Sequence, residues 1–132
     1  MRFASVRVIT DDVARLVTFY EQATGLQARW ATEQFAEFVT PSCTLAIGSV
    51  QTMALFSPGA AVPEANRTAI LEFLVDDVDR EHDRLTGLAP EIVQPPTTMP
   101  WGNRSLLFRD PDGNLVNFFT PVTEQARARL DH

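Results

Sequence analysis

The chain contains no lysine, and its 11 basic residues are arginines scattered along all 132 positions. Acidic residues number 17, so the formal net charge is −6, and no run of basic residues is present. A surface that follows the phosphates of a nucleic acid needs clustered positive charge. The sequence therefore argues against nucleic acid as a partner.

Long apolar segments and cysteines are also scarce. No run approaches the about 20 apolar residues that span a bilayer, and residues 1–8 alternate like a strand where a signal peptide would be uniformly apolar. The one cysteine, Cys43, excludes a disulfide within the chain. A packed or loop thiol is favoured over a catalytic one. We therefore expect a soluble, cytoplasmic protein without a membrane partner.

The sequence contains an internal repeat. At a shift of 65 positions, Asp11, Asp12, Val13 and Arg15 align with Asp76, Asp77, Val78 and Arg80. Each copy follows a strand-like run and opens a helix-like stretch, with Asp12 and Asp77 as helix N-caps. A repeat near half of the chain length indicates duplication of one module, because a solenoid needs more copies.

Each copy has the same order of predicted elements, namely a strand, a helix and three short strands. In the first strand of each copy a uniformly apolar set faces the following helix, and a mixed set, with Arg7 and Glu72, faces the other side. The fold class is therefore α+β, with two tandem βαβββ modules. We place the modules at residues 1–57 and 64–121, the linker at 58–63 and a tail at 122–132, all in one structural domain.

The closing segment of the second module carries a family resemblance. Residues 100–116 end in Asp110-Pro111-Asp112-Gly113-Asn114, a strong tight-turn signal. Together with the two Asp-Asp-Val motifs and Phe19-Tyr20 before Gly25, it resembles the glyoxalase/bleomycin-resistance/extradiol-dioxygenase superfamily, also called vicinal oxygen chelate proteins. The resemblance implies a curved mixed sheet with a concave cleft, and a homodimer. It leaves function open, because the superfamily includes isomerases, dioxygenases, thiol transferases and antibiotic binders.

The resemblance also implies where a divalent metal would be held, in the first and last strand of each module. Those positions hold Ser5, Ile70, Asn117 and either Ala46 or Ile47 in this chain. None offers the carboxylate or imidazole that such a metal needs. Of the two histidines, His82 is interpreted as a partly buried helix residue and His132 as a terminal residue without a site. We expect no metal and no other cofactor.

The residues expected in the cleft are Ser5, Arg7, Ile70, Glu72, Trp101 and Asn117. Arg7 and Glu72 occupy equivalent repeat positions and form either a ligand clamp or a structural ion pair. Trp101 either stacks on a planar ligand or packs on the core as a lid. The aromatic residues that could line or cover the cleft are Trp30, Phe35, Phe38, Phe56, Trp101 and Phe119. Of these, Trp30 and Phe119 are favoured for the core.

Two functions follow from this set of residues. The first is a metal-free binding protein that sequesters a small planar organic ligand, in the manner of antibiotic-resistance proteins of the bleomycin-resistance type. The alternative is a glyoxalase-like or dioxygenase-like enzyme acting on a small organic substrate. Such an enzyme would use Arg7 and Glu72 without metal, with Glu72 as the catalytic residue, or would hold a metal through atypical ligands. The missing metal ligands favour binding.

Overall fold

The computed structural model describes residues 1–130, and the chain divides into two compact units, Met1–Asn66 and Arg67 onward. His132, which we expect to be a terminal residue without a site, lies outside the described residues. The first unit contains β1 (Ser5–Thr10), α1 (Val13–Thr24), β2 (Arg29–Thr32), β3 (Phe35–Val39), β4 (Thr44–Ser49) and α2 (Val50–Met53). The second contains β5 (Ile70–Leu74), α3 (Val78–Leu85), β6 (Glu91–Thr98), β7 (Asn103–Arg109), β8 (Leu115–Pro121) and α4 (Glu124–Leu130).

The two units share one sheet topology. The strand orders are β1-β4-β3-β2 and β5-β8-β7-β6, each with four strands, and neither sheet is closed. In each unit the first strand pairs in parallel with the last, and the other pairs are antiparallel. A parallel pair requires a crossover connection, which begins with α1 in one unit and α3 in the other. The predicted α+β fold of tandem βαβββ modules is confirmed.

The repeated Asp-Asp-Val motif sets the start of both crossover helices. The carboxylate of Asp12 accepts a hydrogen bond from the backbone N–H of Arg15, and that of Asp77 accepts one from Arg80, both at 3.1 Å. Both caps have extended backbone, as an N-cap requires. The aligned aspartates therefore cap the corresponding helix in each unit.

The core of each unit lies between the sheet and its crossover helix. Tyr20 of α1 is fully buried, with its ring centroid 6.2 Å from that of Phe38 on β3. In the second unit Phe108 and Phe118 meet edge to face at 4.9 Å. An edge-to-face ring pair stabilises the fold by more than the burial of its apolar area alone. The predicted apolar sets lie on this side of each sheet, because Val6 pairs through Leu45 with Phe38, and Phe73 pairs with Phe118. Phe38, a candidate to line the cleft, is therefore in the core instead.

A tight turn joins β7 to β8 through the predicted Asp110–Asn114 segment. The buried Asp110 carboxylate accepts the backbone N–H groups of Asp112 and Asn114, each at 2.9 Å, and the Asn114 side-chain amide at 2.8 Å. Gly113 adopts a positive φ of 84°. One carboxylate therefore organises the whole turn.

Two segments differ from the sequence-based expectation. The strand expected at residues 91–93 extends to Thr98, with register shifts that accommodate Pro95 and Pro96 at the sheet edge. Trp30, which we expect in the core, lies instead on the edge strand β2 and is 48% exposed. In residues 1–130 no helix has both the length and the apolar composition needed to cross a membrane.

Candidate functional site

The predicted site residues on strands lie on one side of each sheet, opposite to the crossover helix, which we call the far face; Trp101 lies on a turn. In the first unit the far face includes Ser5 and Arg7 of β1 and their register partners Thr44 and Ala46 of β4. In the second unit it includes the strand pairs Ile70–Leu115, Glu72–Asn117 and Leu74–Phe119. Arg7 of β1 and Glu72 of β5, which the sequence places in the mixed sets, therefore lie on the sides of their sheets that face away from the helices.

Arg7 is held between two aromatic rings of the first unit. Its Cζ lies 5.0 Å from the ring centroid of Phe35 on β3 and 5.1 Å from that of Phe56, which follows α2. Phe35 pairs in register with Gly48, where a Cβ would lie 3.5 Å from the Phe35 ring. A cation–π contact uses no hydrogen-bond acceptor, so these rings do not pair the guanidinium N–H groups. No described residue of the first unit accepts a hydrogen bond from them.

Glu72 is held by a neighbour on the second far face. The side-chain amide nitrogen of Asn117 donates to Glu72 Oε2 at 2.8 Å across the parallel pair. Asn117 is only 9% exposed, and its Oδ1 is buried without a hydrogen-bond partner in the described part of the chain. Glu72 itself is exposed. The pair presents oxygen acceptors, in contrast to the donors of Arg7.

The sequence predicts that Arg7 and Glu72 form either a ligand clamp or a structural ion pair, and the structure gives each side chain contacts of its own. Each side chain is engaged inside its own unit, Arg7 with Phe35 and Phe56 and Glu72 with Asn117. Sequence reasoning proposed the two aromatic residues as cleft-lining candidates, but it did not connect them with Arg7. No local sequence pattern links Phe35 with Arg7, because Phe35 pairs in register with Gly48 and Arg7 pairs with Ala46.

Trp101 lies on the short connection between β6 and β7. The backbone of this turn is fixed, because Gly102 N–H donates to Met99 O at 2.9 Å and Arg129 donates to the carbonyl of Trp101. Gly102 has a φ of +93°, and a Cβ there would collide with the Thr123 side chain. The indole is 57% exposed. This exposure contradicts the lid alternative, in which the ring packs on the core.

The strand register identifies the position in the first unit that corresponds to Asn117. Arg7 pairs with Ala46 as Glu72 pairs with Asn117, so the position is Ala46 and not Ile47. The positions at which the resemblance implies metal ligands therefore hold Ser5, Ala46, Ile70 and Asn117. A hydroxyl, two apolar side chains and one amide do not form a divalent-metal ligand set. Within residues 1–130, no group of three or more His, Cys, Asp or Glu residues is placed to hold a metal.

Other charged side chains of the second unit have structural partners. Arg104 forms a bidentate pair with Asp79 of α3, with N–O distances of 2.8 and 2.9 Å. The hydrogen bonds from Arg104 lower the pKa of the Asp79 carboxyl below its ordinary value. His82 is half-buried on α3, as expected. Arg104 and Asp79 therefore contribute to the helix side of the unit and not to the far face.

Comparison with known proteins decides the family. The model of the Glyoxalase/Bleomycin resistance protein/Dioxygenase superfamily matches residues 2–118. The chain belongs to this superfamily. The Bacillus subtilis (strain 168) protein YraH, described as uncharacterized, is 29% identical over 126 residues, which cover 90% of this chain and 98% of YraH.

Solved structures of superfamily proteins share the fold. A glyoxalase/bleomycin resistance protein/dioxygenase family enzyme from Burkholderia phytofirmans PsJN matches with a TM-score of 0.82 at 16% identity, covering 92% of this chain and all (100%) of that one. A lactoylglutathione lyase from Agrobacterium tumefaciens matches with a TM-score of 0.70 at 22% identity, covering 89% and 92%. At these identities the likeness extends to the fold alone.

The far-face residues lead to a prediction about metal content. Protein purified without chelator should contain well under one Zn²⁺, Ni²⁺, Fe²⁺ or Mn²⁺ per chain by elemental analysis. Its unfolding temperature should not change with EDTA, because a metal bound only to the native state would raise stability. A content near one metal per chain, with a fall in unfolding temperature on chelation, would contradict this expectation.

Proposed function

We propose that this protein binds a small planar organic molecule without a metal, in the manner of the binding members of its superfamily, including those that sequester antibiotics. The observation that carries the proposal is the Arg7 guanidinium, which contacts the rings of Phe35 and Phe56 and whose N–H groups have no acceptor among the described residues of its unit. A charged donor fixed in this way suits a carboxylate or another oxygen acceptor of a ligand.

Exposed aromatic rings support a planar ligand. Phe56 is 66% exposed although its ring stacks on Arg7, and the indole of Trp101 is exposed on a fixed turn of the second unit. Aromatic side chains next to a few oriented polar groups are the usual composition of small-molecule sites. In the first unit Ser5 supplies further far-face surface. In the second unit Ile70 supplies such surface, and Glu72 and Asn117 supply polar contacts.

Binding is favoured over catalysis because the four positions at which the resemblance implies metal ligands hold Ser5, Ala46, Ile70 and Asn117. Glu72 is the candidate general acid or base predicted from the sequence, and an enzyme of this superfamily that works without metal is the alternative outcome. Glu37 of β3 also lies on the first far face, because it pairs in register with Ala46. We place the protein in the cytoplasm on the basis of its single cysteine, Cys43.

A ligand screen tests the proposal. Planar drugs and metabolites are titrated while tryptophan emission is recorded, with a Trp30→Phe variant in which all of the emission comes from Trp101. Each hit is then tested by calorimetry against Trp101→Ala, which should weaken binding by about 1–3 kcal/mol through lost stacking area. Each hit is also analysed for products after incubation with the protein.

The outcomes of the screen separate the two functions. Hits recovered intact, with affinity reduced in Trp101→Ala and retained in Trp30→Phe, agree with binding. Hits consumed by the wild type and not by a Glu72→Gln variant would replace the binding function with an enzymatic one. A screen in which no planar compound binds would contradict both.

We also propose that the protein is a homodimer, as the superfamily resemblance implies. Strand β2 lies at the edge of its sheet, and its residues Arg29–Thr32 are all exposed. Unpaired strand edges favour association, which in soluble oligomers is usually symmetric. Light scattering at micromolar concentration should give twice the 14.7 kDa mass of the chain. A mass of one chain would contradict the proposal.

A further inference from the structure

We infer that the Glu72–Asn117 pair on the second far face binds a hydrogen-bond donor group of the ligand, in particular a cationic nitrogen group such as an amidinium or a protonated amine. This inference rests on the proposed function and adds the chemical class that one part of the site selects. Neither residue alone carries it. The geometry of the pair determines which atoms remain available.

The orientation of the Asn117 amide is fixed by Glu72. An ionised carboxylate only accepts hydrogen bonds, so the amide nitrogen of Asn117 must be the atom 2.8 Å from Glu72 Oε2. Reversing the amide would place two oxygens against each other. Asn117 Oδ1 is therefore directed away from Glu72 as an acceptor.

Asn117 Oδ1 is buried, and no residue of the neighbouring strands donates a hydrogen bond to it. Asn117 pairs in register with Glu72 on one side and with Leu107 on the other. Glu72 already takes the amide nitrogen, and the Leu107 side chain has no polar atom. Oδ1 has no partner in the described part of the chain, although Asn117 is only 9% exposed. Native structures rarely leave a buried acceptor unpaired, so a donor from outside the chain is expected there.

The charge of Glu72 makes a cationic donor the best match. Its carboxylate is exposed, and in the described part of the second unit no arginine pairs with it. An amidinium presents parallel N–H donors in one plane, which match the two oxygens of an exposed carboxylate such as that of Glu72. The net charge of −6 also favours the approach of a cation.

Three probes of nearly the same shape test this inference, namely benzamidine, benzamide and benzoate. Each is titrated into ¹⁵N-labelled protein, and chemical-shift changes at the Asn117 side-chain amide and the β5 and β8 backbone report binding. Benzamidine should shift these signals and bind at least about tenfold more tightly there than benzoate, because charge-assisted hydrogen bonds contribute strongly. Benzamide should lie between them.

Substitutions with matched controls complete the test. Glu72→Gln keeps an acceptor for the Asn117 amide but removes the charge, so benzamidine affinity should fall by about tenfold or more. Asn117→Leu removes the buried acceptor at similar volume and should abolish the preference. Asp76→Asn removes one exposed carboxylate of the same unit and should leave it unchanged. If Asn117→Leu fails to fold, as judged by its amide spectrum, Glu72→Gln alone decides the test.

The contradicting results are distinct from failure of the proposed function. Benzoate binding that depends on Arg7, with no benzamidine binding at Asn117, would overturn this inference and leave the function intact. Benzamidine binding that Glu72→Gln and Asp76→Asn weaken equally would also overturn it, because bulk charge would then explain the affinity. If no planar probe binds anywhere, both proposals fail.

Discussion

Replacing Asp110 with alanine should lower the free energy of unfolding by about 2–4 kcal/mol, because one buried carboxylate is the acceptor for three N–H groups of the β7–β8 turn. Without it, the backbone N–H groups of Asp112 and Asn114 lose this acceptor at buried positions. Urea denaturation followed by circular dichroism measures the change.

Two further variants define the cause of this loss. Asp110→Asn retains one acceptor oxygen but places an N–H₂ group against a donor, so it should lose an intermediate amount of stability. Asp83→Ala removes an exposed carboxylate from α3 and should change stability by less than about 0.5 kcal/mol. A loss in Asp110→Ala no greater than in Asp83→Ala would contradict the structural role of the turn.

Replacing Arg7 with alanine should weaken the binding of a planar carboxylate such as benzoate by about 10- to 100-fold, since a charged donor pair is lost. The free energy of unfolding should fall by only about 1–2 kcal/mol, because the cation–π contacts to Phe35 and Phe56 are made at an exposed site. Calorimetric titration gives the affinity, and denaturant unfolding gives the stability.

Two arginine controls make this result specific. Arg7→Lys keeps the positive charge but lacks the planar fork, so it should recover only part of the affinity. Arg2→Ala removes the same charge from an exposed position of the first unit and should bind benzoate like the wild type. If Arg7→Ala and Trp101→Ala together leave binding unaffected, the ligand occupies another surface.

The fold was predictable from sequence because its signals are local and repeated. The Asp-Asp-Val motifs contain the helix caps at Asp12 and Asp77, and the alternation of β1 and β5 gives the side of each sheet that faces its helix. The Asp-Pro-Asp-Gly-Asn segment specifies a turn through backbone preferences alone. Each of these features depends on residues that are close in the chain.

The contacts of the site were less predictable because they join residues that are distant in sequence. The Arg7 contact with Phe56 depends on where a connecting segment lies, which no periodicity encodes. The Glu72–Asn117 hydrogen bond requires the exact register of a parallel pair 45 residues apart. The core is the favoured prediction for Trp30 as an aromatic residue, but its position on an edge strand exposes it. Size predicts burial only when the position of the strand in the sheet is known.

The most direct test of metal-free binding is to measure the affinity and the fate of one planar ligand before and after exhaustive dialysis against EDTA. We expect the same dissociation constant in both samples, and a ligand that is chemically unchanged after long incubation. Loss of binding on chelation that is restored by Zn²⁺ or Ni²⁺, or steady conversion of the ligand to a product, would contradict the proposed function.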